Sequence, residues 1–372
     1  MMVTSESELA EAIAGAKGPL QVVGGGTRLP VSGEVLRVGI SGVKLYEPGA
    51  LTLVVGAGTP LAEVEDLLAA EGQRLAFEPM DYRPIMGSEG EPTIGGVVAA
   101  NISGPRRVQA GACRDFLLGV RFVDGQGRVI KSGGRVMKNV TGYDLVKLMA
   151  GSWGTLGVLS EVSLKVLPAA EAVATVVVHG LEDAAAIKAL SRALGSAYDV
   201  SGAAHIGQGT EARSLVRVEG FADSVVYRAG RLRELLGGFG EISVEDDPAR
   251  NAALWKRIRD VEDFAGRAGD VWRLSLKPSD GPVAAAALRA AFGAEVIHDW
   301  GGGLIWALVP AGADLRAAMG DLPGHARIIR ASADTVARLG RFHPRPAPVA
   351  RLEAGLKEKY DPRGIFNPGL MG

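Results

Sequence analysis

The chain has 372 residues, 47% hydrophobic and 22% charged, the composition of a globular protein with a real core and room for two or three domains. A formal net charge of -1 supplies no long-range field toward nucleic acid or an anionic membrane, so neither is expected as a partner. The one cysteine, Cys113, excludes an internal disulfide or a four-cysteine cluster, and the five dispersed histidines form no metal-binding pair. With no signal sequence and no apolar run long enough to span a bilayer, the sequence predicts a cytoplasmic protein whose membrane contacts run only through a partner.

Ser5 and Glu8 stand at capping-box spacing ahead of a first helix, and LQVV (20–23), EVLRVGI and LTLVVGAG read as strands. Thr59 and Pro60 predict an N-cap and a first helical position, Leu61, Val64, Leu67 and Leu68 keep helical spacing, and Gly72 ends the helix. FLLGVRFVDGQGRVIKSGG predicts two strands joined by a tight turn. KNVTGYDLVKLMAGSWGTLGVLSEVSLKVLP runs from a short helix through a glycine-rich turn into a strand with Val162, Leu164 and Val166 on one face. Past Pro168, Ala-rich helices alternate with strands such as ATVVVHG, SLVRVEG, WRLSLKP and GLIWALVP. The reading is a domain over 1–168, a smaller α+β domain over 169–345, an RPAP linker at 345–348, and a C-terminal helix and tail.

Glycine is about twice as common as its usual share of roughly 7%, and three glycine-rich elements stand out. GGGTR (24–28) follows an apolar strand directly, so successive N–H groups can face an anion, with Arg28 adding charge. In PTIGGVVAANISG, a helix starting at Thr93 offers free N–H groups around Gly95 and Gly96 to a pyrophosphate, and Ala99 and Ala100 allow a flat ligand to lie close. GSWGTLGVL (151–159) supplies three more glycines before a strand. Each element alone is matched equally well by an ordinary turn or by helix packing. Neither G-x-G-x-x-G nor G-x-x-x-x-G-K-[ST] occurs, which disfavours Rossmann-type nicotinamide binding and P-loop chemistry.

Together the three elements resemble the FAD-binding domain of the vanillyl-alcohol oxidase and para-cresol methylhydroxylase type. The block SGPRRVQAGACRDFLLGVRFVDGQGRVIKSGGRVMKNVTGYDLVKLMAGSWGTLGVLSEV, with DWGGGLIW, RFHP and KYDPRGIFNPG, is similar to the FAD-binding subunits of bacterial glycolate oxidases. The resemblance implies an α+β fold: a two-subdomain FAD-binding domain, a smaller cap domain, and a segment at 346–372 returning to the first. It implies that Gly24, Gly25, Gly26, Thr27 and Arg28 wrap the FAD pyrophosphate, and that Thr93, Ile94, Gly95 and Gly96 approach the diphosphate and ribityl chain. Ala99, Asn101, Ser103 and Gly104 would line the flavin side, and Gly157 and Val158 would meet the adenine end. On that basis a bulky residue at Gly95 is expected to abolish FAD retention with the fold intact. Arg106 and Arg107 either neutralise charge at the cofactor or form a solvated basic turn.

The implied activity is that of the FAD-binding subunit of a glycolate oxidase (glycolate dehydrogenase) complex, oxidising glycolate to glyoxylate and passing electrons to a partner. A larger flavoprotein subunit and an iron–sulfur subunit are the implied partners, and a small 2-hydroxy acid the substrate. The alternatives are a non-catalytic flavin-fold scaffold of that complex and a free-standing FAD oxidoreductase for another 2-hydroxy acid. The chain departs from larger relatives in lacking an H-x-G-x-G-N-x-H motif, and its tail reads FNPGL, with Leu370 where a basic residue is expected. No histidine is placed as a covalent anchor, so FAD is expected to be non-covalent. Hydroxy-acid chemistry needs a base and a carboxylate-binding cation. Of the candidates, His298 reads as a satisfied surface or turn residue, and Arg273 and Lys277 read as a solvated strand face. Trp300 and Trp306 read as core, His343 as a linker cap, and Tyr143 with Asp144 as a helix start. No catalytic residue and no metal ligand is assigned.

Overall fold

The strand Val158–Lys165 carries the first sheet because its apolar side chains alternate, and Val162, Leu164 and Val166 are all fully buried, as their spacing predicts. In the computed structural model, which describes residues 1–135 and 142–370, this strand lies at the centre of five antiparallel strands. Thr52–Gly56 and then Val43–Glu47 lie on one side of it, Leu117–Val123 and then Val129–Gly133 on the other. The turn between the last two is fixed by Asp124, whose Oδ1 accepts the N–H groups of Gln126 and Arg128, each at 3.0 Å. Of the KNVTGYD stretch, Lys138–Thr141 lies outside the described residues. Asp144 caps the helix Leu145–Met149 by accepting the Lys147 N–H at 3.1 Å, while Tyr143 is exposed.

A smaller parallel sheet joins Met2–Val3, Val35–Val38 and Gln21–Val23. Ser5 caps the helix Glu6–Gly15, and the Glu8 carboxylate reaches the Thr4 N–H at 2.8 Å. The next helix starts one residue later than expected. Pro60 is its N-cap and Leu61–Ala70 its body, because the Thr59 hydroxyl is engaged elsewhere, donating to Gly56 O at 2.7 Å and accepting from the Gly42 N–H at 3.0 Å.

The second sheet has eight antiparallel strands in the order Ile242–Glu245, Ala172–His179, Arg213–Gly220, Val200–Ile206, Glu295–Asp299, Leu304–Val309, Asp270–Leu276 and Gly324–Arg330. Strand alternation gives it two apolar faces. Val176 and Val178 pack beneath the helices Asp183–Leu194 and Ala222–Leu236, and Trp272 and Ile305 pack beneath Gly281–Phe292. The intervening residues, among them Val177, Leu215, Ile297 and Trp306, join the core of the first half. The C-terminal helix, Ala347–Tyr360, begins inside the expected linker, with Pro346 as its N-cap. Beyond it, Phe366 is fully buried and Leu20 donates its N–H to Ile365 O at 2.7 Å.

A buried ion network joins the two halves. Arg217 donates to both oxygens of Glu78, each at 3.0 Å, and stacks 4.3 Å from the Trp255 ring centroid. Arg106 and Arg74 converge on Glu219 at 2.9 and 2.8 Å. Burial opposes ionisation of Glu219, but Arg217 and Arg106 beside it outweigh burial and hold its carboxyl well below the usual range. Arg106 is thus a structural ion-pair partner rather than a cofactor-facing cation. Glu78 itself sits at φ 52°, a left-handed backbone that a non-glycine residue keeps only where its surroundings over-determine it. Glu78→Ala removes the bidentate partner of buried Arg217, leaving it only Glu219 at 3.4 Å, which Arg106 and Arg74 share, and is expected to destabilise the protein by about 3 kcal/mol. Arg231→Ala, which breaks an exposed pair with Glu234, should leave stability almost unchanged. Urea unfolding midpoints of the two variants check the contrast.

Candidate functional site

Two cavities adjoin at the wall formed by Ala100 and Trp153. The first is a cleft with about 780 Å³ of empty space, opening to solvent, and the GGGTR loop forms one side of it. The loop's shape follows from its neighbours. Arg37 donates to Gly24 O at 2.8 Å and the Ser88 hydroxyl donates to Thr27 O at 3.2 Å, which turns these carbonyls to protein partners. Gly25 lies so close to the 90–92 segment that a Cβ there would collide with Glu91 O, so only glycine permits this approach. Among the described residues, no acceptor takes the N–H groups of Gly25, Gly26, Thr27 and Arg28.

Arg28 is buried over the Tyr82 ring at 5.7 Å, and its Nε and Nη2 have no partner among the described residues. The Thr27 hydroxyl is buried and unpartnered as well. Burial lowers the Arg28 pKa, outweighing the opposing influence of nearby Tyr82 and Asp81. A buried guanidinium with idle donors beside a run of unshared N–H groups is a site shaped for an anion.

The helix Ile94–Ala99 takes part differently from expectation. Thr93 caps it, accepting the Gly96 N–H at 3.3 Å, but the first turn has no free donor. The N–H of Ile94 goes to Thr59 O at 3.0 Å and that of Gly95 to Ala57 O at 2.8 Å. A Cβ on Gly95 would lie 2.6 Å from Ala57 O, so this glycine lets helix and strand touch, and a bulky replacement strikes packing as well as the cleft. Thr93, Gly95, Gly96 and Ala99 still line the cleft through their surfaces, as do Gly24, Gly25, Gly26, Thr27 and Arg28. Gly157 and Val158 lie across from them.

Four expected residues lie elsewhere. Ile94 is fully buried in the core. Gly104 is pressed against Glu78, accepting the Trp300 indole N–H at 3.1 Å, so it lines neither cavity. Asn101 and Ser103 face the second cavity, and their side-chain oxygens accept the N–H groups of Arg114 and Cys113, each at 3.0 Å. Trp153 and Asn367 were not anticipated. The Trp153 N–H donates to Ala99 O at 2.8 Å, while the Asn367 amide bridges Trp153 O and the Val22 N–H, both at 2.8 Å. The only sequence signal for them is their position inside GSWGTLG and FNPG.

The second cavity, with about 1420 Å³ of empty space, lies between the halves. Arg107, Arg273, Trp300, Trp306, His325 and His343 are on its wall. The solvated-face reading therefore fails for Arg273, which turns inward, and holds for Lys277, which is exposed. His298 is fully buried rather than on the surface, its Nε2 lying 3.6 Å from Asp183. Burial drives its pKa down. His343 accepts the Ala326 N–H on Nδ1 at 3.2 Å, so it is tied to a strand instead of capping a linker. Asp299 accepts the Trp300 N–H at 2.7 Å, and burial, with the Glu78 charge, raises its pKa to about 7.

Three comparisons place this geometry. The FAD binding domain family matches residues 1–133, which include the glycine loop and the Thr93 helix. The structure of p-cresol methylhydroxylase with substrate bound superposes with a TM-score of 0.73 at 12% identity, over 100% of this chain and 88% of that one. An alkyldihydroxyacetonephosphate synthase gives 0.71 at 17% identity, over 99% and 76%. The fold is thus the α+β architecture of p-cresol methylhydroxylase-type FAD proteins, and residues 24–28 and 93–99 of the cleft lie within the stretch matched by the FAD binding domain family.

The glycolate oxidase subunit GlcE of Escherichia coli (strain K12) is 35% identical over 365 residues, 95% of this chain and 93% of that protein. The chain belongs to this glycolate oxidase subunit family. A D-lactate dehydrogenase of Archaeoglobus fulgidus is 33% identical over only 31% of this chain and 24% of its own length.

Asp299 yields a pH prediction. Its folded pKa is raised above the ordinary value of about 4, so the folded protein keeps a proton that the unfolded chain has lost. Stability from this group therefore falls as pH rises from about 4 to about 7 and is level above that. Asp299→Asn should gain on the parent by roughly 1–3 kcal/mol between about pH 5 and pH 8, read from urea midpoints at the two pH values.

Proposed function

We propose that this chain is the FAD-binding subunit of a glycolate oxidase complex, in which glycolate is oxidised to glyoxylate and electrons pass to a partner subunit. The observation that carries the reading is the run of unshared N–H groups from Gly25 to Arg28 beside the idle donors of buried Arg28. Family membership supplies the substrate, since the E. coli relative is a subunit of glycolate oxidase by name. Bound FAD supplies a two-electron acceptor for the alcohol carbon. The chain's own residues hold and shape: the 24–28 loop with Arg28 receives the diphosphate, Ala99 and Ala100 leave room for a flat ring, and Trp153 closes the cleft toward the second cavity. Gly157 and Val158 take the adenine end.

Other features fit this assignment. No histidine, cysteine or tyrosine is among the described residues lining the cleft, which supports non-covalent FAD. Cys113 is the sole cysteine and is buried, so an iron–sulfur relay would reside on a partner, and a larger flavoprotein chain would carry the His-rich motif absent here. No helix among the described residues is long and apolar enough to cross a membrane, so membrane association would come through those partners. We divide the chain into an FAD-binding domain over 1–168, a cap over 169–345 and a returning segment over 346–372.

The purified chain should show flavin absorbance, and acid precipitation should release the flavin to the supernatant. Arg28→Met should weaken FAD binding by about 10- to 100-fold, the worth of a charge-assisted hydrogen bond in a buried site. A colourless chain that also fails to take up added FAD would transfer the assignment to a non-catalytic scaffold.

A further inference from the structure

The second cavity holds an excess of positive charge with nothing in the protein to match it. No carboxylate is among the described residues on its wall, whereas Arg107, Arg273 and Arg327 all face it. Arg114 and Arg345 have acidic neighbours, Asp115 at 3.7 Å and Glu353 at 3.1 Å. The first three form no ion pair among the described residues; Asp115 and Asp299 act on Arg107 and Arg273 only from beyond salt-bridge distance. Their flat faces are spent on aromatic rings: Arg107 and Arg273 lie 4.7 and 5.0 Å from the Trp300 centroid, and Arg327 lies 4.9 Å from that of Trp153. Stacking holds a guanidinium while leaving its N–H edge open.

Those edges are almost unused. Among the described residues, Arg107 and Arg273 donate no side-chain hydrogen bond, and Arg327 donates one, to the Tyr82 hydroxyl at 3.0 Å, while its Nε is buried without a partner. Gathering three cations without a counter-ion is unfavourable. Burial and the charge of neighbouring Arg327 push the Arg273 pKa down to about 10. Such a cluster is stable in company with an anion, and its planar forks match the planar, bidentate carboxylate.

We infer that the cavity walled by Arg107, Arg273 and Arg327 is a binding site for small carboxylic acids, with dicarboxylates favoured, and that this subunit itself contacts such a ligand beside the cofactor cleft. Adjacency to the cofactor rests on the FAD reading above, because the two cavities meet at Ala100 and Trp153. The anion site does not depend on it. Three unpaired cations exceed what one carboxylate neutralises, so oxalate is expected to bind at least about tenfold more tightly than acetate.

The test is calorimetric titration of the full chain with oxalate and with acetate at low and moderate chloride, with the flavin spectrum followed in parallel. Oxalate should bind with one site per chain and perturb the flavin bands. Arg273→Met should cost about tenfold or more in oxalate affinity, and Arg273→Lys, which keeps the charge but loses the fork, should recover only part of it. Both variants should retain flavin, which shows that they are folded. A flavin-bearing chain that ignores oxalate, or an Arg273→Met variant with parental affinity, overturns the inference and leaves the FAD reading standing. Equal affinity for oxalate and acetate, or complete displacement by moderate chloride, overturns it too, as adventitious anion binding. A colourless chain that still binds oxalate keeps the carboxylate site and removes the FAD reading.

Discussion

The structure depends on one buried ion pair, Glu78 with Arg217. One partner comes from the first half of the chain and the other from the second sheet, and Ser201, Glu219 and Arg106 complete the hydrogen bonding and charge around the pair. Such pairs add little net stability compared with apolar packing, but they are unforgiving of misplacement, since a shift strands a charge in the interior. Register is the consequence. With Arg217 fixed to Glu78, Gly104 lies beneath Trp300, and Arg330 reaches Ile85 O at 2.8 Å. The separation of the halves, and with it the width of the arginine-lined cavity, follows from that docking.

Glycine serves two demands around the first cleft. Gly25 and Gly95 are required by protein backbone pressing on them, Glu91 O in one case and Ala57 O in the other. Only in the 24–28 loop does the same crowding leave donors idle, because its carbonyls are held by Arg37 and Ser88 while its N–H groups are not. Two similar glycine-rich segments thus do different work. At Thr93 the first turn is satisfied internally, so the helix contributes shape and small side chains rather than hydrogen bonds.

How much of this was legible in the sequence varied with the type of signal. Alternation in 158–166 and the Thr93 cap were readable, because each is written in adjacent residues. Val200–Ile206 was not: VSGAAHI is small and only weakly β-forming, and it is a strand because both its faces are buried. The edge strand Val43–Glu47 escaped for the opposite reason, being largely exposed, with none of its residues buried. The proposed cofactor residues were grouped by motif resemblance, which could not show that Ile94 is buried in the core or that Gly104 is pressed against Glu78. Arg273 shows the limit most clearly. On a strand reading Arg–Leu–Ser–Leu–Lys, Arg273 and Lys277 follow the same alternation, and only the half packed above the strand shows that one is enclosed and the other wet.

The last residues of the chain have a further consequence. Asn367 joins the strand before the glycine loop to the Trp153 turn, Lys357 donates to Thr155 O and Phe366 O at 2.8 and 2.9 Å, and Arg363 ties Gly125 and Ala16 to the tail. The side of the cleft made by residues 20–28 is braced against 153 by an amide that lies 345 positions beyond Val22. Whatever order the rest of the fold forms in, that brace can be added only after the chain through Asn367 has been made and has folded back on residues 22 and 153. The two sides of the cleft are therefore locked late, and a product that stops short of Asn367 would lack the brace that holds them together.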